Sequence, residues 1–189
     1  MIFKRILPLA TVLAAALVGS ACNDSTGFEA QLETRRDTFI VYAMSGSAPE
    51  LPTAYSSVGR QVMRVDTLLF DVAFDLTADG QVALLPVSVV GQSPLGRRIG
   101  IRADTVAFES LQRAPVQGYT HDSVLVVPVG RTVVVEAPGN TCGLYALSQN
   151  LYTKFVIDSV NPVTRQIGFH AVHNPNCGFR SFRPGIPKD

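Results

Sequence analysis

Hydrophobic and polar positions alternate most regularly between Leu69 and Val90, in the stretch LFDVAFDLTADGQVALLPVSVV. Phe70, Val72, Phe74 and Leu76 alternate with Asp71, Ala73 and Asp75, the two-residue period of a strand buried on one face. Ala78-Asp79-Gly80 follows with turn chemistry, since Asp and Gly accept a positive φ at low cost. Gln81 to Val90 then returns as a second Val- and Leu-rich run. The pattern predicts a long β-hairpin with Phe70, Val72, Phe74 and Leu76 turned into the core.

Other strand signals flank it. Phe28, Ala30 and Leu32 alternate with Glu29, Gln31 and Glu33, which predicts a first strand. Thr38 to Met44 predicts a second, and Ser45 to Pro52 is a Gly- and Pro-bearing loop. Short strands are expected at Ala54 to Val58 and Gln61 to Val65. After the turn cluster from Gly91 to Gly96, Arg98, Gly100 and Arg102 alternate with Ile99 and Ile101. The stretch from Asp104 to Tyr119 is broken by Pro115 and Gly118, with a short helix expected near Phe108 to Leu111. Val124 to Val127 and Thr132 to Glu136 flank Pro128-Val129-Gly130-Arg131, a second hairpin. Lys154 to Val160 and Gln166 to Val172 flank Asn161-Pro162, a third. Asn174-Pro175-Asn176 turns into Cys177, and a tail with Pro184 and Pro187 is irregular. Many short strands with turns between them predict an all-β fold, an antiparallel β-sandwich or partly open barrel. With no repeat and no internal linker, residues 28–189 are expected to form one domain.

The first 22 residues, MIFKRILPLATVLAAALVGSAC, follow different rules. Lys4-Arg5 precedes an apolar run from Ile6 to Val18, and Gly19-Ser20-Ala21 is a small-residue cleavage site, so residues 1–21 read as a signal peptide. The run is shorter than the roughly 20 residues that a spanning helix needs. Small residues directly before a Cys resemble the lipobox of bacterial lipoproteins. In that family the Cys, here Cys22, becomes the first mature residue. It carries a diacylglyceryl group on sulfur and an acyl chain on nitrogen. Gly19 stands where the family usually has Leu, so cleavage after Ala21 by ordinary signal peptidase is the alternative. The resemblance covers the leader alone. It implies an exported protein of the bacterial cell envelope, periplasmic or surface-facing, held to a membrane through residues 22–27 as a tether.

Cysteine usage fits export. The chain has three cysteines, and an odd number in an oxidising compartment needs an explanation. If Cys22 carries lipid, Cys142 and Cys177 remain as one disulfide across 177 − 142 = 35 positions. The chain-entropy argument gives such a crosslink about 3.5–4 kcal/mol. Charge adds little. Sixteen basic and fifteen acidic side chains give +1, and removal of Lys4 and Arg5 with the leader leaves 14 − 15 = −1. A near-neutral chain lacks the electrostatic footprint of a nucleic-acid binder.

Candidate chemistry is sparse. Asp75, Thr77, Asp79 and Gly80 resemble the start of a calcium loop, but the closing position would be Pro86, and Asp-Gly between alternating runs reads as a hairpin turn. Asp71 and Asp75 share a strand face, with Cα atoms about 13 Å apart, beyond glycosidase spacing, and read as a solvated face. His170 and His173 form H-x-x-H near Cys177, with His121 on a loop. Positions three apart on a strand face opposite sides, so no metal site is expected. No G-x-S-x-G nucleophile elbow occurs. Phe179, Arg180, Phe182 and Arg183 are read as rings covering the sandwich, with guanidinium heads in water. The reading is a non-catalytic, membrane-tethered binding or structural module, with no cofactor and an unknown protein or glycan ligand. The runners-up are an envelope enzyme or metal-binding protein using His170, His173 and His121, and a subunit of an envelope complex.

Overall fold

The computed structural model describes residues 29–67, 69–91, 96–139, 142 and 150–188. Ten strands run through these segments: β1 (Arg35–Tyr42), β2 (Ala54–Ser56), β3 (Gln61–Met63), β4 (Val72–Leu76), β5 (Val82–Pro86), β6 (Gly100–Asp104), β7 (Leu125–Val127), β8 (Thr132–Pro138), β9 (Asn150–Asn161) and β10 (Gln166–Asn174). They form two five-stranded antiparallel sheets, ordered β1-β10-β9-β8-β6 and β3-β2-β4-β5-β7. The sheets are not closed into a barrel, and the fold is a β-sandwich.

The interior is built from the inward residues of both sheets. Phe39, Phe155 and Phe169 come from the first sheet and Tyr55 and Phe74 from the second. Phe169 lies at the centre of this group, stacked on Phe74 at 5.1 Å and edge-on to Tyr55 at 5.6 Å between ring centroids. Offset and tilted ring pairs of this kind add stabilisation beyond area burial. Phe70, Val72 and Phe74 are fully buried, and Leu76 packs against the same core half-covered, as the alternation requires.

The first sheet is buried on both faces. Its outer side carries Val134, Tyr152, Val156 and Val172, covered by Phe108, Leu111 and Ala114 from the β6–β7 connection and by Phe182 from the tail. Tail and connection are joined, with Ala114 N donating to Arg180 O at 2.8 Å and Phe182 N to Gln112 O at 2.8 Å. Two-sided burial explains why β8 and β9 read as continuous apolar runs rather than alternating ones.

Several expected elements take another form. Residues 29–33 are not a strand. Gln31 and Leu32 instead donate their amides to Asn176 Oδ1, at 2.9 and 3.0 Å. β5 ends at Pro86, and Val87–Val90 form a single helical turn where strand was expected. Pro86 brings no N–H to a ladder, so the strand stops where its pairing stops. Residues 107–111 form a hydrogen-bonded turn, with Leu111 N on Ala107 O at 3.0 Å, and do not propagate into a helix. The second expected hairpin is absent. β7 pairs with β5 in one sheet and β8 with β6 and β9 in the other, so Pro128–Arg131 is a crossing between sheets. The third hairpin, β9–β10, is present, with a bulge opposite Gly168 and Phe169.

Candidate functional site

Among the residues singled out in the sequence, Cys22 with the leader and tether, Phe28, and positions 92–95 of the expected turn cluster lie outside the described residues. Cys142 and Cys177 are bonded to each other with Cα atoms 5.5 Å apart, joining the segment after β8 to the turn after β10. The approach is close. A Cβ added at Gly139 would lie 2.5 Å from Cys142 Sγ, so the chain passes the disulfide only with glycine there.

The 75–80 segment is the hairpin turn, with Gly80 at φ +79° and its amide on Thr77 O at 3.0 Å. Its two carboxylates do not converge. Asp79 accepts from Gln81 Nε2, whereas Asp75 faces Ser45 and pairs with Arg165 at 3.2 Å. The solvated-face reading of the two aspartates fails. Asp71 is fully buried, ion-paired with Arg97 at 2.5 Å and accepting the Ser57 amide. Burial nonetheless pushes its carboxyl above the ordinary range, against the lowering effect of Arg97. Burial also raises Asp75, but its bonds from Ser45 and the Leu76 amide, with Arg165 nearby, outweigh this and hold it low.

His170 and His173 point to opposite faces of β10, as their spacing predicts. His173 is buried toward the inter-sheet core with Nδ1 2.8 Å from Thr153 Oγ1, and burial lowers its pKa to about 4. His170 lies on the outer face with Nδ1 2.7 Å from Asp158 Oδ1 and its ring edge-on to Phe108 at 4.4 Å. His121 sits beside β6, three strands from β10, roughly 14 Å at ordinary strand spacing. The three imidazoles therefore do not meet. Among the described residues no group of three or more His, Cys, Asp or Glu is gathered for a metal ion.

The outer face of the first sheet carries the densest polar chemistry, and sequence reading passed over its centre. Lys154 of β9 is only 3% exposed. Its ammonium donates to Phe108 O and, at 2.8 Å, to Leu111 O, and lies 4.4 Å from the Phe108 centroid and 5.6 Å from that of Phe182. Desolvation lowers its pKa, with Glu109 acting in the opposite direction. Above it Arg36 pairs with Glu109 and stacks over Phe108 at 5.3 Å. The Phe179 and Phe182 rings are buried, as expected. Arg180 is not left in water, since it donates to Ala114 O. The signal that would have located this face is Lys154 itself, a lone cation inside the apolar run LYTKFVI.

Two adjoining cavities open here. One, of about 140 Å³, has Lys154 and Phe182 in its lining. The other, of about 360 Å³, lies along the tail and shares Gln112, Arg183 and Pro184 with the first. The N-terminal end of β1 forms one wall, because Thr34 donates its amide to Gly185 O at 3.0 Å and its hydroxyl to Arg183 O at 2.8 Å. Asn174-Pro175-Asn176 holds this arrangement. Asn176 clamps Gln31 and Leu32, and Asn174 Nδ2 donates to Phe179 O and Ser181 O at 3.0 and 2.9 Å.

These features define a two-sheet antiparallel sandwich, disulfide-linked at one end and overlaid on one face by a polar, cation-rich groove. In comparisons with protein-family models, curated proteins and solved structures, nothing matches this chain.

Proposed function

We propose that this chain is an exported, lipid-anchored, non-catalytic β-sandwich of the bacterial cell envelope that serves as a binding or structural module. The observation that carries the reading is the leader, an apolar run too short to span a bilayer and ending in Gly19-Ser20-Ala21-Cys22. The disulfide supports it. With Cys142 and Cys177 bonded to each other, Cys22 is the remaining cysteine of three. Disulfides persist in oxidising compartments, in keeping with export. Tether residues 23–27 extend at most about 17 Å, which keeps the sandwich close to the bilayer surface. Several acyl chains on one residue give stable attachment at about 0.8 kcal/mol per buried CH₂.

The test is fractionation of a bacterial host expressing the full chain or its Cys22→Ala variant. The wild type partitions with membranes and into detergent. The variant stays as uncleaved precursor or becomes soluble. Equal solubility of both after cleavage would overturn the anchor.

A further inference from the structure

The two cavities on the outer face are unusual in their charge. Arg35, Arg36, Arg113, Lys154, Arg183 and Lys188 line them, against Glu109 as the one carboxylate among the described residues of either lining. The chain as a whole is nearly neutral, so this is a concentration of one sign and not a reflection of composition. Glu109 answers Arg36 directly. Arg183 spends its Nε on the neutral Gln112 Oε1 at 2.7 Å, and Arg35 is exposed.

At the floor lies a cation removed from water. Lys154 gives two of its three ammonium protons to backbone carbonyls, and its other contacts among the described residues are the faces of Phe108 and Phe182, which carry no counter-charge. A buried ammonium without a counter-charge in contact is costly, and an oxyanion in the adjoining cavity would offset that cost. The donors come from four separated places in the chain, at 34–36, 112, 154 and 183. Donors converging from several directions on a compact cavity suit a tetrahedral oxyanion, and guanidinium groups bind phosphate oxygens through paired N–H bonds.

We infer that the groove over Lys154 is a binding site for a phosphate group, with Lys154 at its floor and Arg35 and Arg183 at its mouth. The site rests on the reading of the chain as a binding module. It does not depend on the lipid at Cys22. Phosphate reaches an envelope protein as a free anion or as a phospholipid headgroup. The groove is walled by residues 34–36, a few positions after the tether, so on a lipid-anchored chain it would lie near headgroups.

The experiment is titration calorimetry on the purified full chain in a neutral detergent. Two water-soluble probes are used: inorganic pyrophosphate for the free anion, and glycerophosphoglycerol for the headgroup of an anionic phospholipid. At least one probe binds saturably and more weakly as salt rises, and the tighter of the two names the source. Replacing the two exposed arginines, Arg35→Gln with Arg183→Gln, weakens that probe by about tenfold or more at an unchanged thermal midpoint. Arg64→Gln, a cation paired with Asp66 outside the groove, leaves binding unchanged. If the double variant melts early, Arg35→Gln alone carries the test, with a smaller loss of the same sign. Absence of saturable binding for both probes, or an equal loss in Arg64→Gln, overturns the site. Neither result bears on the Cys22 fractionation, so the two proposals fail separately.

Discussion

Asp71 and Arg97 face each other with almost no access to water, and Arg97 also donates to Leu69 O and Pro138 O, at 3.4 and 3.3 Å. Leu69 leads into β4 and Pro138 ends β8, so one guanidinium ties the two sheets together. Removing it leaves a buried carboxylate without its counter-charge. Arg97→Met should therefore cost about 3–5 kcal/mol, while Asp71→Asn with Arg97→Met should cost less than the sum of the single changes. Urea unfolding of the three variants reads both quantities, and strict additivity would deny the pair its role. His173 gives a prediction in pH. Its native pKa of about 4 lies below the ordinary 6.5, so between these values the unfolded chain binds a proton that the native chain refuses. Stability then falls as pH drops through this window, by roughly 2–3 kcal/mol at pH 4.5. His173→Asn should flatten that part of the urea-midpoint profile relative to wild type, and an unchanged slope would contradict the assignment. Neither residue was legible as buried. Asp71 sits at a polar position of an alternating run, and its partner lies 26 positions away in sequence. Lys154 was hidden in the same way, read as one more strand residue when a third layer covers it.

The hairpin of β4 and β5 was legible because local signals agree there: period-two alternation on both arms and Asp-Gly between them. Phe74 is its most exacting member, packed between Phe155 and Phe169 from the facing sheet. Phe74→Ala should cost about 3–5 kcal/mol in equilibrium unfolding, and a loss under about 1 kcal/mol would mean that the register is wrong. The connection from β7 to β8 shows where local reading stops. Pro128-Val129-Gly130-Arg131 is good turn chemistry, but turn chemistry is the same whether the flanking strands pair or part. The sheet to which β7 belongs is decided by β5, about 40 residues earlier. The segment 29–33 failed for a related reason. Its alternation is real, but its amides are claimed by Asn176, 144 positions away in the pair with Leu32.

At the scale of the whole molecule the all-β class was readable from many short strands and the lack of a helical period. The cover over the outer face was not, because it is made of irregular segments, residues 104–120 and 178–187, whose packing no periodicity records. The disulfide was legible from cysteine arithmetic together with the expectation of export. It closes a 35-residue span around β9 and β10, so reduction should lower stability by about 3.5–4 kcal/mol. Thiol labelling of the oxidised, unfolded protein should leave Cys142 and Cys177 unmodified, and two reactive thiols at these positions would contradict the bond. The candidate groove joins the scales. A single strand residue, Lys154, forms its floor, the tail and the start of β1 form its walls, and the asparagine turn that holds them also fixes where the chain enters the sandwich.

The central claim is that this sandwich hangs from a membrane by Cys22. Intact mass measurement and N-terminal peptide mapping of the protein purified from a bacterial membrane fraction test it most directly. The account predicts that the mature chain begins at Cys22, with a diacylglyceryl thioether and an acylated amine. A mature chain beginning after Ala21 with an unmodified thiol at Cys22, or one that keeps residues 1–21, would contradict it.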